Sequence, residues 1–405
     1  MSIKLYPVIE LLDLYYAHKY NWLSKLAEIS EGIMLRPEKK LGEAFKNNKT
    51  IRQYLLDNYN IYLGKLKIMF DHGIFLSTKD FKLIFGVRKD PRTLVKIYDV
   101  LGVDYGLAYD IPARLHVEFA IRSAISEFFN NRINDKRLAV HYSMKPYLKK
   151  LIRELVSYME DHNYSKLDIK STRTKISKLI RSKQASDSGL YKILQKISKI
   201  SVRETVKRVK KQLRFKNKIN GKFTLVPVVQ GLYEEHAKEC LIKIVNILME
   251  YNEIITNNNS TSIYVAIGTG GRRLSDYEAK IVNKIMMIGH NYAKANNFSI
   301  RFHILGWTSP IIARKLNLKL IYSSDSLSAR VRAGEGKIYV IEGENKIRLK
   351  HVSEIKPNLW NCQCIVCRDP KLRSFVLDPS GKRRNDVRMI HNLWILKHCI
   401  ANLLS

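Results

Sequence analysis

Three of the chain's five cysteines stand within six positions, in the stretch NCQCIVC that begins at Asn361. The spacing Cys-x-Cys-x2-Cys brings three thiolates to one point, which is one ligand fewer than tetrahedral zinc requires. His391 is the best candidate for the fourth ligand, and His398, on the same helical face, is the second. Because three thiolates and one imidazole close the coordination sphere, the sequence predicts a structural Zn²⁺ ion held by Cys362, Cys364, Cys367 and His391.

Two other interpretations of this cluster stay open. The three residues could be buried or redox-active thiols without a metal, or they could hold an iron–sulfur cluster, although such a cluster normally uses four thiolates. Cys240 and Cys399 are predicted to be ordinary packed cysteines. A small, odd number of cysteines argues against a disulfide scaffold and indicates a reducing compartment.

Short apolar runs rich in β-forming residues alternate with helix-like stretches over most of the chain. This alternation predicts a parallel sheet covered by helices, and the number of runs favours a (β/α)8 barrel over an open sheet. The runs lie at residues 32–35, 65–70, 105–109, 223–229, 262–267, 300–305 and 318–323.

Polar residues and glycines follow these runs directly. In a (β/α)8 barrel the carboxyl ends of the strands build the active site, so these residues are expected to meet in one pocket. Each one alone could be a turn former or a helix cap, but their recurrence at successive strand ends favours a site. The residues are Asp71, His72, Asp110, Gln230, Gly231, Gly268, Gly270, Gly271 and Asp325.

The charge is strongly positive and unevenly distributed. Seventy-one Lys and Arg residues against 37 Asp and Glu give a formal net charge of +34. Residues 131–220 hold 25 of the basic and 7 of the acidic residues, which is more than half of the excess. Apolar residues there recur every three or four positions, which indicates amphipathic helices with one basic face. A module that binds nucleic-acid phosphates is therefore predicted, and a solvated Lys-rich surface is the alternative.

These features divide the chain into four parts. Residues 1–130 are predicted to be the first part of the barrel, 131–220 a basic helical insertion, 221–345 the second part of the barrel, and 346–405 a zinc-binding subdomain with a C-terminal helix. No run of eighteen uncharged apolar residues occurs, so the protein is expected to be soluble and cytoplasmic, with no membrane contact. Its Lys- and Ile-rich composition indicates an AT-rich source, with a thermophile and a virus as the alternatives.

The order of motifs resembles the tRNA-guanine transglycosylase superfamily. The zinc cluster followed by HNL is similar to that family's metal site, and six further segments match its motifs in the same order over about 330 residues. The closest similarity in character is to DNA-guanine transglycosylases, which insert 7-deazaguanine into DNA. The six segments are MFDHG, AYDIP, VPVVQG, AIGTGG, FHILGWTSP and SSDSLSARVRAG.

This resemblance implies a role for each matched residue. Asp325 would be the nucleophile that attacks C1′ of the nucleotide, Asp71 would transfer protons, and Asp110 would accept the N1–H and N2–H₂ hydrogens of the base. The other matched residues would contact the base or the neighbouring phosphates. Those for the base are Gln230, Gly231, Gly268, Gly270, Gly271 and His72, and those for the phosphates are Arg330 and Arg332.

Several departures from the family pattern favour DNA over tRNA. His72 stands where the family usually has Ser, and residues 131–220 replace a much shorter connection. The chain also ends after the zinc helix, without the RNA-binding domains that archaeal tRNA enzymes carry. An extra residue in AIGTGG leaves open whether Gly268 or the pair Gly270–Gly271 approaches the base.

The expected reaction is therefore exchange of guanine for a 7-deazaguanine such as preQ0, with DNA as the favoured substrate. A tRNA-guanine transglycosylase of the queuosine or archaeosine type is one alternative. A non-catalytic, nucleic-acid-binding subunit beside an active enzyme is the other. The oligomeric state stays open; the resemblance allows a homodimer or a partner subunit, because the zinc region of this family often forms a dimer face.

Overall fold

The computed structural model is a mixed α/β protein in which helices predominate. No helix in its described part is long and apolar enough to cross a lipid bilayer. The described residues are 3–19, 22–72, 76–129, 144–181, 189–257, 260–268, 276–306, 313–326, 328–342, 346–356, 360–378 and 385–404.

The strands are short, and most of them alternate with helices along the chain. They are β1 (Lys4–Pro7), β2 (Gly32–Leu35), β3 (Lys67–Phe70), β4 (Tyr105–Leu107), β5 (Thr224–Val226), β6 (Val228–Val229), β7 (Ile255–Asn257), β8 (Ser260–Gly268), β9 (Ser299–Leu305), β10 (Ile321–Ser326), β11 (Lys337–Glu342) and β12 (Lys346–His351).

The helices vary in length from one or two turns to more than eight. They are α1 (Leu11–Lys19), α2 (Leu23–Ile29), α3 (Lys39–Lys46), α4 (Ile51–Tyr59), α5 (Thr78–Phe85), α6 (Pro91–Leu101), α7 (Ala113–Phe128), α8 (Lys145–Asp161), α9 (Ile169–Arg181), α10 (Gly189–Lys218), α11 (Glu234–Glu250), α12 (Asp276–Ala295), α13 (Ser328–Gly334), α14 (Pro370–Leu377) and α15 (Asn385–Leu404).

Two parallel sheets form the centre of the molecule. The first has the order β1-β10-β9-β8-β6, with β7 antiparallel to β8, and the second has the order β2-β3-β4-β5. Strands β11 and β12 form a separate antiparallel pair near the C-terminus. The predicted parallel sheet covered by helices is therefore confirmed.

The two sheets approach each other at both of their edges. At one edge the Ile9 N–H donates to the Met34 carbonyl over 3.0 Å, and the Glu31 N–H donates to the Leu5 carbonyl over 3.2 Å. At the other edge β5 and β6 are separated only by Pro227, whose carbonyl accepts from the Ala266 N–H of β8. Since proline has no N–H to donate, the hydrogen-bonding of the strand is interrupted at Pro227, and the chain continues in the same direction. The combined sheet is curled.

Apolar residues on the two faces of the strands belong to different clusters. One face packs against the surrounding helices, in the main core. The other face contributes to a small buried cluster with members from both sheets, and these alternate with the residues of the main core. That alternation follows from the period of two in a β-strand. The small cluster consists of Tyr6, Val8, Met34, Met69, Leu107, Val226, Val228, Tyr264 and Ala266.

The basic segment contributes to two cores. Helices α7, α8 and α9 and the first half of α10 share a second apolar cluster that includes Leu151 and Leu194. From Val202 onward, α10 contributes Val202, Val209 and Leu213 to the main core, and the helix packs against α6 and α11. Helix α10 therefore joins the basic segment to the helices around the sheet.

Candidate functional site

A cavity of about 310 Å³ lies at the carboxyl ends of the parallel strands. It is lined by most of the residues that the sequence predicted to meet at the strand ends. Two predicted residues, Gly270 and Gly271, lie outside the described part of the chain. The predicted residues that line the cavity are Asp71, His72, Asp110, Gln230, Gly231, Gly268 and Asp325.

Asp110 is the most enclosed carboxylate of this cavity after Asp325. His72 Nε2 lies 3.0 Å from Asp110 Oδ1, and Gln230 Nε2 donates a hydrogen bond to Asp110 Oδ2. His72 is 2% exposed, and no described residue is hydrogen-bonded to its Nδ1. Each carboxylate oxygen has two lone pairs, so Asp110 can still accept two hydrogen bonds from a ligand.

Asp325 lies within β10 and is 3% exposed. Its Oδ1 accepts a hydrogen bond from the Gly306 N–H over 2.8 Å, and Gly306 has φ of +69°, which favours glycine. His303 Nε2 lies 3.4 Å from the same oxygen without hydrogen-bond geometry, while His303 Nδ1 is 2.8 Å from Ser323 Oγ. These contacts fix the orientation of the carboxylate. No described residue is hydrogen-bonded to Oδ2.

Asp71 directly follows β3 and faces two cationic side chains. Arg36 Nε lies 3.3 Å from Asp71 Oδ2, and Arg36 also lines the cavity. Lys89 is buried nearby, where burial lowers the pKa of its ammonium to about 8 although the charges of Asp71 and Asp110 oppose that shift. The three carboxylates thus share their surroundings with two positive charges, one of which can be lost near neutral pH.

The segment that carries Gln230 is held closely against α11. The Gln230 N–H donates to Cys240 Sγ over 3.2 Å, and burial raises the pKa of that thiol to about 12, so it stays neutral. Gly231 has φ of +148°, and a Cβ there would lie 2.6 Å from the backbone nitrogen of Ala237. A larger residue would push this segment away from the helix. Gly231 is therefore required by the close approach of two backbones.

The two arginines that were predicted to hold phosphates lie on α13, just after Asp325. Arg330 Nη1 is 2.9 Å from Glu10 Oε1, and its Nε is 3.0 Å from Asp13 Oδ2. Arg332 Nη1 is 2.7 Å from Glu335 Oε2. To bind phosphate, each guanidinium would have to exchange a carboxylate for it, and their role as phosphate ligands stays a prediction.

Near the C-terminus three thiols surround one imidazole nitrogen. His391 Nδ1 lies 3.7, 3.3 and 3.5 Å from the Sγ atoms of Cys362, Cys364 and Cys367, and all four ligand atoms lie within 4.8 Å of one another. The His391 Nε2–H donates to the Tyr339 carbonyl over 2.8 Å, so the Nδ1 lone pair is directed at the thiols. This donor set fits a metal ion such as zinc.

His398, the alternative candidate for the fourth ligand, lies outside the group of metal-binding residues. The ring of His398 stacks on Trp394, with centroids 5.1 Å apart and an interplanar angle of 6°. Among the described residues the metal-binding group contains His391 and not His398. Cys399 is buried outside the group, as predicted.

Several residues of the site were not found by sequence reasoning. Arg36 directly follows β2, so the rule that found Asp71 could also have found it. Lys89 and His303 gave no such signal, because one lies between two helices and the other lies inside an apolar strand. Their proximity to the carboxylates arises only from tertiary packing.

No protein-family model matches the chain, and no curated protein matches it either. The resemblance to guanine transglycosylases therefore depends on the seven motifs of the sequence.

Cys364→Ser should abolish high-affinity zinc binding, because it removes a buried ligand from a closed site. Wild-type protein is expected to bind about one zinc ion per chain and to lose thermal stability when a strong chelator is added. Metal content by mass spectrometry and thermal unfolding would measure both effects. Cys399→Ser, a buried cysteine of α15 outside the group, is the control and should keep its zinc. Full zinc content in Cys364→Ser would contradict the site.

Lys89→Met should change how stability depends on pH. The folded protein releases the Lys89 proton near pH 8, whereas an unfolded chain keeps it to about pH 10.4. Between these values the unfolded state binds more protons, so the wild-type free energy of unfolding gains a contribution that rises with pH, on the order of a few kcal/mol. Chemical denaturation at pH 7–10.5 should show a free energy of unfolding that increases more with pH in wild type and in the exposed-residue control Lys82→Met than in Lys89→Met. Parallel pH profiles in all three proteins would refute the lowered pKa of Lys89.

Proposed function

We propose that the protein is a guanine transglycosylase that exchanges a guanine of nucleic acid for a 7-deazaguanine such as preQ0, with DNA as the favoured substrate. The observation that carries this proposal is the meeting of three aspartates and Gln230 in one cavity at the ends of parallel strands. Each of the four lies in a motif that resembles the transglycosylase superfamily, where a residue of the same type has a defined task.

The proposed fold is one (β/α)8 barrel made from both parallel sheets. Strands β5 and β6 on either side of Pro227 would count as one, which gives eight strands with β1, β2, β3, β4, β8, β9 and β10. Two observations support this closure. Backbone hydrogen bonds connect the sheets at both edges, and the small apolar cluster takes alternate residues from both. The cavity then lies at the end of the barrel where active sites form.

Asp325 is the proposed nucleophile. Its Oδ1 is held by the Gly306 N–H, so Oδ2 is the oxygen directed to bond formation. As the C1′–N9 bond to guanine breaks, positive charge develops on the sugar, and Oδ2 then forms the covalent bond to C1′. The incoming base displaces Oδ2 through its own N9, which restores the carboxylate.

Asp71 is the proposed acid and base. It would give a proton to the departing guanine and later accept the N9 proton of the incoming base, so that no net proton is consumed. Arg36 Nε lies 3.3 Å from Asp71 Oδ2, so a positive charge faces the carboxylate that is left once the proton has been given. The exchange therefore needs no external acid beyond the side chain itself.

Asp110 and Gln230 are the proposed base readers. The carboxylate of Asp110 would accept the N1–H and N2–H₂ hydrogens that guanine and 7-deazaguanines share. Its existing bonds to His72 and Gln230 hold both oxygens in place before the base arrives. Gly268, whose backbone lines the cavity, would let the base come close enough for an N–H contact.

A long cationic stripe on α10 supports a nucleic-acid substrate. Eight exposed Lys and Arg residues follow one another at spacings of three or four, so they lie on one face of the helix. A helix of this length extends over about 45 Å, which allows it to contact several phosphates along a duplex. The residues are Lys192, Lys196, Lys199, Arg203, Lys207, Lys211, Arg214 and Lys218.

Wild-type protein mixed with labelled duplex DNA and a 7-deazaguanine base should form a covalent adduct that survives denaturation. Asp325→Ala should form none, because the adduct is an ester of that carboxylate. Denaturing gel electrophoresis would measure the shifted band. Asp276→Ala, which removes an aspartate that is fully exposed at the start of α12, should form the adduct as wild type does.

Labelled tRNA in parallel reactions distinguishes the alternatives. An adduct with tRNA and none with DNA would keep the chemistry and overturn the choice of substrate. Tight binding of both nucleic acids without any adduct would instead indicate a non-catalytic, nucleic-acid-binding subunit.

A further inference from the structure

Helix α10 carries a second stripe, which is polar and completely buried. Ser198, Ser201, Thr205 and Gln212 are each 0% exposed. They lie three, four and seven residues apart, so they share one face, and 3.6 residues per turn places this face opposite the cationic stripe. Buried hydroxyl and amide groups are costly unless they are hydrogen-bonded. This stripe therefore must have partners on neighbouring segments.

Its partners are backbone groups on both sides of Asp110. The Tyr109 N–H donates to Gln212 Oε1 over 2.8 Å, and the Ile111 N–H donates to Thr205 Oγ1 over 2.9 Å. The Ala113 N–H donates to Ser201 Oγ over 3.2 Å, and that hydroxyl in turn donates to the Ile111 carbonyl. The segment with Asp110 is thus held by three side chains of a single helix.

The fourth member of the stripe, Ser198, contacts the segment that carries Gln230, the second proposed base reader. Ser198 Oγ accepts a hydrogen bond from the Leu232 N–H over 2.9 Å, two residues after Gln230. Since Gln230 itself donates to Asp110, both ends of that hydrogen bond belong to segments attached to α10. One rigid element thus fixes both segments relative to each other.

We infer that Ser198, Ser201, Thr205 and Gln212 are positioning residues for base recognition. They hold the Asp110 and Gln230 segments at the separation that lets both side chains meet one base. The inference rests on the proposed function for the identity of the ligand. The attachment of the two segments to α10 does not depend on that function. Because the cationic stripe lies on the same helix, contact with the phosphate backbone and placement of the base pocket are combined in one element.

Thr205→Val is the test, because it removes the acceptor for the Ile111 N–H with little change in volume. An unsatisfied buried amide should shift the Asp110 segment, so the KM for the incoming base should rise about tenfold while kcat stays within about twofold. Thr205→Ser keeps the hydroxyl and should restore the wild-type KM. A merely structural role would lower thermal stability without this separation of KM from kcat.

Thr172→Val is the matched control. Thr172 is also 0% exposed and lies on α9, but no described residue is hydrogen-bonded to its hydroxyl. The control should therefore leave the KM for the base unchanged. An equal KM in wild type and Thr205→Val, in a protein that does form the covalent adduct, would overturn the inference and leave the proposed function intact.

If wild-type protein does not exchange bases, amide hydrogen exchange still tests the attachment of the Asp110 segment to α10 separately from the proposed reaction. Amides in 109–113 should then exchange faster in Thr205→Val than in wild type or Thr172→Val, as judged by mass spectrometry of peptides that cover this segment. Faster exchange would support the attachment even though the proposed reaction had failed. Unchanged exchange would refute the attachment itself.

Discussion

The structure depends on keeping three carboxylates together at one end of a curled parallel sheet. Removing carboxylates from water is costly, and placing them close together adds mutual repulsion. The compensation comes from separate parts of the chain: Arg36 after β2, His72 after β3, Gln230 after β6 and the Gly306 N–H after β9. Every one of these donors stands at the end of a parallel strand. The parallel order of the strands thus brings the donors to the three carboxylates and offsets the cost of burying them together.

The strand ends would not hold this arrangement alone, since they continue into irregular segments. Two helices from distant parts of the sequence support them. Helix α10 holds the segments of Asp110 and Gln230 through buried side-chain oxygens. Behind Asp325, the Asn392 side chain on α15 accepts from the Tyr339 N–H and donates to the Ala329 carbonyl of α13. The cavity is therefore fixed by polar contacts on two sides, and by apolar packing beneath.

Local sequence patterns explain why some elements of the fold and some residues of the site could be predicted and others could not. The metal group follows from cysteine spacing, and the strand-end residues follow from short apolar runs. The run at 318–323 was placed too early, because residues 318–320 form a 3₁₀ turn and Asp325 lies inside β10 instead of after it. Strand β1 was missed because the apolar sequence continues beyond it into helix α1, which hides the end of the strand. Partners such as Lys89, and the pairing of Arg330 with Glu10, depend on tertiary contacts that no spacing encodes.

Two consecutive residues, His391 and Asn392, bind both backbone groups of Tyr339: the first contacts its carbonyl and the second its N–H. The Tyr339 hydroxyl lies 3.2 Å from Ser328 Oγ, three residues beyond Asp325. A metal ion that orders His391 would therefore also order the backbone behind the carboxylate. Such linkage is reciprocal. A molecule bound against Asp325 would raise the affinity for the metal by the same factor, so the affinity for the metal would report occupancy of the cavity without any chemistry taking place.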